Sequence, residues 1–301
     1  MPVEATLVVK GTFEQDSDRR WRPIAEQIPI LDDRLETPFG IFHGENFTRK
    51  DGVDLCVMGT VRPARPMRGT QVRIAVGAHR KALTVFGDRR WARAGSQLVP
   101  SAPQDFVEMP LAYSRAYGGA TVHDYENVVW PDNPVGRGYY LSEAAADGKP
   151  LPNVELADGP QVRAWSDQPT VAGWAPYPCF WGLRAREGVK PPDAIGAASI
   201  GQLKPRLNNN AHPELILPKL DDDTEIRIAG LQAVELVYQP PPFIFRLEVE
   251  VAAQIIAEPP ATVDGVFIWT DLGRITLTAR AHFNYSYNRG EIRKARLLPG
   301  A

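Results

Sequence analysis

The stretch 266-VFIWTDLGRITLTARAHF-283 decides the fold class, because an apolar run leads into a short turn and an alternating run follows it. After the turn at Asp271-Leu272-Gly273, apolar residues occupy every second position from Ile275 to Phe283. A period of two is typical of a β-strand, and two such runs around a glycine-containing turn predict an antiparallel hairpin. Gly273 stands where a positive φ is needed. The stretch therefore predicts a β protein.

Similar patterns occur in two zones of the chain, residues 1–91 and 223–301. Compact or alternating β-type runs occupy 6–13, 54–61, 71–76, 82–86, 234–238 and 243–251. The glycine-started turn 77–81 joins two of these runs into another hairpin. Pro240-Pro241-Pro242 marks a connection or a sheet edge, because proline cannot donate ladder hydrogen bonds. We expect a mostly β fold, an antiparallel β-sandwich-like framework built from both zones, which can form one compact domain.

The middle zone, residues 92–222, holds 16 of the 28 prolines. It sustains no helical periodicity beyond about two turns, apart from a weak run at 141–147. It also contains aromatic–proline clusters such as 174–181, whose rings need burial. We therefore expect long ordered proline-rich loops packed over the β framework. Loops of this length are uncommon in compact domains and often form functional surfaces.

Composition excludes several classes of protein. The 301 residues include 44% hydrophobic ones, so the chain is not intrinsically disordered. The two cysteines, Cys56 and Cys179, exclude a disulfide scaffold and the usual structural zinc sites. A net charge of -2 argues against a general nucleic-acid binder. No apolar run is long enough to span a bilayer, and the N-terminus lacks the features of a secretory signal, so we expect a soluble cytoplasmic protein.

Motifs for catalysis or metal binding are absent from the sequence. There is no GxSxG elbow, HExxH, P-loop or Rossmann glycine pattern. The five histidines are scattered without metal-ligand spacing, and neither cysteine has an evident base as a partner. Carboxylates are plentiful, so a glycosidase-type pair stays open, with weak candidates at Asp88, Glu108, Glu248 and Glu250. We predict no catalytic residues, no cofactor and no metal, and hence no enzyme.

Basic residues are concentrated between Arg62 and Arg93. This basic run has nine of them and a single acid, Asp88, in a chain whose net charge is -2. One interpretation is a solvated hairpin balanced by acids elsewhere, such as Asp221-Asp222-Asp223. Another is an electropositive docking face for an acidic protein partner. Nucleic acid is a third, although aromatic residues for base stacking are few here.

Three segments combine glycine, aromatic residues and arginine, namely 86-FGDRRW-91, 109-MPLAYSRAYGG-119 and 133-NPVGRGY-139. Arginine supplies a planar fork of donors that can tie carbonyls or carboxylates of different loops together. Two interpretations remain open for these segments. They pin the middle loops to the β framework, or they line a binding surface.

These segments, in this order, resemble the bacterial DUF2169 family, a domain of unknown function. The resemblance continues through 151-LPNVE-155, Asn209-Asn210-Ala211 and Gly230-Leu231, so that it covers nearly the whole chain. It implies an accessory protein of type VI secretion systems, encoded beside VgrG and PAAR spike proteins and toxic effectors. One departure lies at 172-AGWAP-176, where the family usually has a Gly-Phe-Gly-Pro-type segment and this chain has Trp174 and Ala175.

The resemblance implies an adaptor or chaperone that binds a secreted effector and aids its loading onto the VgrG/PAAR spike. The expected partner is a protein, with no nucleic acid and no membrane span, and the oligomeric state stays open. The alternative is a carbohydrate-binding or glycoside-hydrolysing β protein, since aromatic-rich loops suit sugar stacking. The residues predicted to bind a partner are Arg80, Lys81, Asp88, Arg89, Arg90, Trp91, Tyr113, Arg115, Arg137 and Trp174.

Overall fold

The computed structural model describes residues 2–32, 35–42, 44–45, 49–123, 126–177, 205–221, 223–243, 245–251, 254–257, 261–286 and 292–299. Strands account for 45% of the structure and helices for 7%. The sheets are mainly antiparallel and there is no helical bundle, which confirms the mostly β class. The helices of these described segments are all too short to cross a membrane.

The strands are distributed over all three zones of the chain. The N-terminal zone contains β1 (Pro2–Gln15), β2 (Trp21–Pro23), β3 (Leu35–Glu36), β4 (Ile41–Phe42), β5 (Val53–Met58), β6 (Thr60–Val61), β7 (Gly69–Val76) and β8 (His79–Phe86). The middle contains β9 (Trp91–Ala94), β10 (Gln97–Pro100), β11 (Met109–Pro110), β12 (Tyr117–Gly118), β13 (Ala120–His123), β14 (Glu126–Val129), β15 (Arg137–Gly138), β16 (Val154–Leu156) and β17 (Ile216–Leu217). The C-terminal zone contains β18 (Ile226–Ala229), β19 (Leu236–Tyr238), β20 (Phe245–Val251), β21 (Gln254–Ala257), β22 (Ala261–Trp269), β23 (Arg274–Ser286) and β24 (Ile292–Pro299). The helical elements are α1 (Glu143–Ala146) and 3-10 turns at Tyr113–Arg115, Pro205–Asn208, Pro213–Leu215 and Thr270–Leu272.

The hairpin predicted from 266–283 is confirmed as β22–β23. Gly273 closes its turn with φ 62°, a conformation that side chains with a Cβ rarely adopt. The hairpin is part of a six-stranded sheet in the order β17-β5-β22-β23-β1-β2. The pair β5–β22 is parallel and the other pairs are antiparallel. The N-terminal and C-terminal zones thus share one sheet, because β1 pairs along the length of β23.

The second predicted hairpin, β7–β8, is also confirmed. It belongs to a five-stranded antiparallel sheet in the order β16-β8-β7-β18-β19. The three prolines Pro240–Pro242 lie between β19 and β20, as predicted. Strand β20 pairs with β21 and β24 in a separate three-stranded sheet. Its buried Val249 packs with Ala281 of the six-stranded sheet.

The two larger sheets enclose one hydrophobic core. The core cluster contains Leu55 and Ile268 of the six-stranded sheet together with Ile74, Leu83 and Ile228 of the five-stranded sheet, all of them buried. Burial of apolar side chains between two sheets is the main source of stability in a sandwich. The predicted sandwich-like framework of N-terminal and C-terminal strands therefore matches the structure.

The middle zone is more regular than the sequence suggested. Its strands β16 and β17 extend the five-stranded and the six-stranded sheet, and β9–β10 and β13–β14 form hairpins of their own. Strands this short carry too few residues to show a period of two, so alternation did not reveal them. The weak helical run at 141–147 is the single turn α1, capped by the Ser142 side chain. Cys179 and the end of the cluster 174–181 lie outside the described residues.

Strand β23 is buried on both faces between Ile275 and Ala281. Its polar row, Thr276, Thr278 and Arg280, lies as deep in the protein as its apolar row. The N-terminal segment covers this face, because the Arg280 guanidinium donates to the backbone carbonyl of Glu45 and pairs with Asp264. Buried polar side chains need such partners to offset the loss of water.

Candidate functional site

Four of the segments noted in the sequence meet at the side chain of Asn153, just before β16. Its Nδ2 donates to the backbone carbonyl of Phe86 at 3.2 Å and to Asp88 Oδ1 at 3.0 Å. Its Oδ1 accepts from Arg115 Nη1 at 3.4 Å and from Arg137 Nη1 at 3.2 Å. One buried amide thus joins the four segments, and we call Asp88, Arg115, Arg137 and Asn153 the Asn153 cluster.

The charged members of the Asn153 cluster reach the surface. The Arg115 guanidinium forms an ion pair with the largely exposed Asp88 at 3.2 Å. The Arg137 Nε donates to the carbonyl of Ser114 at 2.8 Å. Burial of Arg137, together with the neighbouring charge of Arg115, lowers the pKa of its guanidinium. The cluster therefore has two guanidiniums and one carboxylate that reach the surface, and the buried Asn153 amide holds them from below.

Arg89 and Glu155 form a buried pair beside the Asn153 cluster. Arg89 Nη2 donates to Glu155 Oε1 at 2.5 Å and to the carbonyl of Pro152 at 2.6 Å, and its guanidinium lies 3.9 Å from the centre of the Phe86 ring. Glu155 Oε2 accepts from the backbone N–H of Val162 at 3.1 Å. Burial raises the pKa of Glu155, and the nearby Arg89 opposes the shift. Since both carboxylate oxygens are engaged and buried, this pair holds loops together.

The buried side chain of Asn133 connects the segment 133–139 to the segment 109–119. Its Nδ2 donates to the backbone carbonyls of Tyr113 at 2.8 Å and Tyr117 at 3.0 Å. Asn133 and Asn153 are fully buried, yet neither was among the residues predicted to bind a partner. The sequence marked the segments that contain them but not the asparagines themselves, because their hydrogen bonds join residues that are far apart in the chain.

Five of the predicted binding residues have little or no exposed surface. Trp91, Tyr113 and Trp174 are among the largest fully buried side chains, and each belongs to a different apolar cluster. Lys81 and Arg89 are buried as well. Burial lowers the pKa of Lys81 to about 8, and its ammonium lies against the Glu214 carboxylate. Any contribution of these five residues to binding would therefore act through the packing of the loops that they support.

The basic run from Arg62 to Arg93 is largely paired within the described part of the protein. Arg62 pairs with Asp271 at 2.7 Å, Arg68 with Asp105 at 3.5 Å, and Arg93 with Asp147 at 2.8 Å. With the Arg89–Glu155 and Lys81–Glu214 pairs, five of the nine cations face a carboxylate. These acids come from several segments of the chain, whereas Asp221 of the predicted acidic run pairs with Lys219.

A second polar cluster surrounds the buried Asp54 of β5. Its carboxylate accepts from the Asn209 side chain at 2.9 Å and from the backbone N–H groups of Asn210 and Ala211 at 2.8 and 3.1 Å. The Lys50 ammonium completes the shell at 2.8 Å. Although burial opposes it, the charges of Asp54 and Asp264 raise the pKa of Lys50. The 209–211 segment quoted for the family resemblance is thus a clamp on the six-stranded sheet.

The carboxylates considered for glycoside hydrolysis are spread over different elements. Asp88 pairs with Arg115, and Glu108 lies 3.8 Å from Arg62. Glu248 and Glu250 are opposite Arg296 and Lys294 in the β20–β24 register. Among the described residues, no group of three His, Cys, Asp or Glu side chains could hold a metal ion. Carbohydrate binding stays a prediction.

The fold and the Asn153 cluster define a class of protein, a mostly β framework on which glycine- and arginine-rich segments are tied into an ordered surface. The family described as "Uncharacterized protein conserved in bacteria (DUF2169)" matches residues 3–280, and the chain belongs to it. This confirms the family resemblance of the sequence motifs. No curated protein and no solved structure matches the chain.

Proposed function

We propose that the protein is a non-enzymatic adaptor or chaperone of a type VI secretion system. It binds an effector in the cytoplasm and aids its loading onto the VgrG/PAAR spike. The observation that carries the proposal is the location of exposed apolar side chains. Of the nine large ones in the described part of the chain, five lie between residues 107 and 141, namely Val107, Val122, Val129, Val135 and Leu141.

This part of the chain also contains two members of the Asn153 cluster, Arg115 and Arg137. Arginine is enriched at protein–protein interfaces, and a partner that covers the exposed apolar side chains near it would remove them from water. The buried hydrogen bonds of Asn133 and Asn153 order these segments before any partner arrives. An ordered surface loses less conformational entropy on binding, which favours affinity.

The test is co-purification of the chain with the effector and the PAAR protein encoded by neighbouring genes. We expect the effector to bind and its cellular amount to fall when the chain is deleted. The variant Val107→Asp/Val122→Asp should weaken effector binding at least tenfold. The matched control is Val234→Asp/Leu272→Asp, because Val107 and Val122 are 63% and 70% exposed and Val234 and Leu272 are 72% and 60% exposed.

The adaptor proposal is contradicted if neither protein binds and the effector amount is unchanged on deletion. If the control variant weakens binding as much as Val107→Asp/Val122→Asp, the binding surface between residues 107 and 141 is contradicted instead. Melting temperatures of both variants show whether they are folded.

A further inference from the structure

Arginine and alanine alternate over three neighbouring strands on the solvent-facing side of the five-stranded sheet. In one cross-strand row Ala75 of β7 lies between Arg80 of β8 and Arg227 of β18. In the next row Arg73 of β7 lies between two alanines. The three arginines are exposed and the three alanines are half-buried. We call this surface the arginine–alanine face, which consists of Arg73, Ala75, Arg80, Ala82, Arg227 and Ala229.

The alanines leave a depression of about 280 Å³ in this face, bordered by Asp158 and Glu235. Alanine is depleted in strands, where larger β-branched and aromatic residues are the rule. The three alanines alternate with the arginines, so the surface is low at each alanine and higher at the arginines beside it. The result is a shallow site at the centre of the sheet, with three arginines and two carboxylates around it.

Two of the three guanidiniums have no carboxylate partner among the residues that the structure describes. Arg227 pairs with Glu225 at 2.6 Å and with Glu235 at 3.2 Å, so its charge is compensated. Arg73 donates only to the neutral Gln71 Oε1, at 3.1 Å. Arg80, at the end of the sheet nearest to the β7–β8 turn, is exposed. Arg73 and Arg80 thus keep an uncompensated charge, unlike the paired majority of the basic run.

The spacing of these two arginines fits an extended peptide. Arg73 is opposite Ala82, and Arg80 is two residues before Ala82 on β8, which makes the arginines diagonal neighbours. Diagonal neighbours in an antiparallel pair are about 7–8 Å apart. Every second side chain of an extended strand repeats at about 6.5–7 Å. Two carboxylates in an acid-x-acid segment therefore match the two guanidiniums.

We propose that the arginine–alanine face docks an extended acidic segment of a protein partner. The inference rests on the proposed adaptor function and names the chemistry of its partner. Arg73 and Arg80 each receive one carboxylate of the segment, which guanidinium groups bind in a planar, bidentate way. The residue between the two acids projects away from the sheet, and the main chain lies over the alanine floor. Nucleic acid fits less well, because the face offers no aromatic ring for base stacking.

The test measures binding of a fluorescein-labelled peptide of alternating glutamate and threonine by fluorescence anisotropy. We expect Arg73→Glu/Arg80→Glu to weaken binding at least tenfold. Ala82→Leu, which fills the floor without changing charge, should weaken it at least threefold. The control is Arg65→Glu/Arg163→Glu, which changes net charge equally at exposed arginines outside this face and should alter affinity less than threefold.

Three outcomes would overturn the proposal. The peptide binds equally to Arg73→Glu/Arg80→Glu, or the Arg65→Glu/Arg163→Glu control loses as much affinity, which would indicate bulk charge alone. In the third, a single-stranded oligonucleotide of equal charge binds more tightly than the peptide and loses binding with Arg73→Glu/Arg80→Glu, which would assign the face to nucleic acid.

The same variants separate this inference from the adaptor function. If the effector encoded by the neighbouring gene still co-purifies fully with Arg73→Glu/Arg80→Glu, the adaptor function is supported and the proposed docking surface is contradicted. The wild-type chain could instead bind the acidic peptide through Arg73 and Arg80 and bind neither the effector nor the PAAR protein. That result would support the docking surface and contradict the adaptor function. Far-UV circular dichroism establishes that each variant is folded.

Discussion

At the scale of single residues, the amide of Asn153 connects groups that are far apart in the chain. Replacing it with alanine leaves the half-buried Arg115 and Arg137 guanidiniums and the Phe86 carbonyl each one hydrogen-bond partner short. We expect Asn153→Ala to lower the free energy of unfolding by about 2–4 kcal/mol. Urea denaturation measures this loss. The control Asn127→Ala, on the exposed face of β14, should change stability by less than about 0.5 kcal/mol; equal losses would contradict the role of the Asn153 cluster.

His212 makes the stability depend on pH. Its Nε2 lies 3.1 Å from the Val171 carbonyl, and its Nδ1 accepts from the Glu214 backbone N–H, so the folded protein needs the neutral ring. Burial, helped by the charge of Lys81, lowers the pKa of His212 to about 3. The unfolded chain binds a proton below about pH 6.5 and the folded one does not, so stability is lost as pH falls from about 6.5 towards 3.

At pH 5 this single group should lower the free energy of unfolding by about 2 kcal/mol relative to pH 8. Urea denaturation across this pH range measures the slope. His212→Gln keeps a donor and an acceptor at the site and should flatten that part of the profile. The exposed His79→Gln should leave the profile unchanged. If the free energy of unfolding of His212→Gln falls with pH as steeply as that of the wild type, other groups cause the dependence.

A count of charges along the sequence does not show which charges form ion pairs in the folded protein. The nine cations between Arg62 and Arg93 left three interpretations open: a solvated hairpin balanced by acids, an electropositive docking face, or a nucleic-acid site. In the folded protein Arg93 meets Asp147 and Arg62 meets Asp271, acids from other parts of the chain. Pairing across such separations depends on the tertiary fold, which a run of charges does not encode. Only the fold distinguishes Arg73 and Arg80 from their paired neighbours.

At the scale of elements, the loop 101–105 is held against the end of β8 by a close backbone approach at Gly87. A Cβ at position 87 would come 1.8 Å from the Gln104 carbonyl oxygen. At Gly77, in the β7–β8 turn, φ is 55° but nothing lies within 4 Å of a Cβ. Gly77→Ala should therefore cost about 1 kcal/mol, the usual penalty of a left-handed conformation. Gly87→Ala must displace the backbone at Gln104, so we expect it to lower the free energy of unfolding by at least about 3 kcal/mol.

Urea denaturation of Gly87→Ala and Gly77→Ala tests this difference directly. Protease cleavage near residues 101–105 should also increase in Gly87→Ala and not in Gly77→Ala, because the loop has to move away from β8. If Gly87→Ala and Gly77→Ala lower the free energy of unfolding equally, the close approach at Gly87 does not constrain the loop.

The two hairpins with long strands could be predicted from the sequence, because their strands are neighbours in the chain and each is long enough to show alternation. The alternation around Gly273 and around Gly77 was enough to identify β22–β23 and β7–β8. The parallel pairing of β5 with β22 joins residues such as Cys56 and Phe267 that are remote in sequence. No local pattern specifies that partner, nor the addition of β16 to β8. The Asn153 cluster was hidden for the same reason, although its segments were recognised one by one.

At the scale of the whole molecule, the shared core predicts cooperative unfolding of the two larger sheets. Val57 belongs to the six-stranded sheet and Leu83 to the five-stranded sheet, and both are fully buried in one cluster. Chains of this size often unfold in steps when they contain separate domains. Here the first and last zones contribute strands to both sheets, so neither sheet has a core of its own.

We therefore expect Val57→Ala and Leu83→Ala to lower the midpoint of one and the same transition. The expected losses are about 1–3 kcal/mol for the valine and about 2–5 kcal/mol for the leucine, from lost burial and the cavity left behind. Tryptophan fluorescence and far-UV circular dichroism should give coincident urea curves for the wild type and both variants. Two separated transitions, each moved by only one of the substitutions, would show instead that the sheets are independent units. A single transition is expected because the N-terminal and C-terminal zones each contribute strands to both of these sheets.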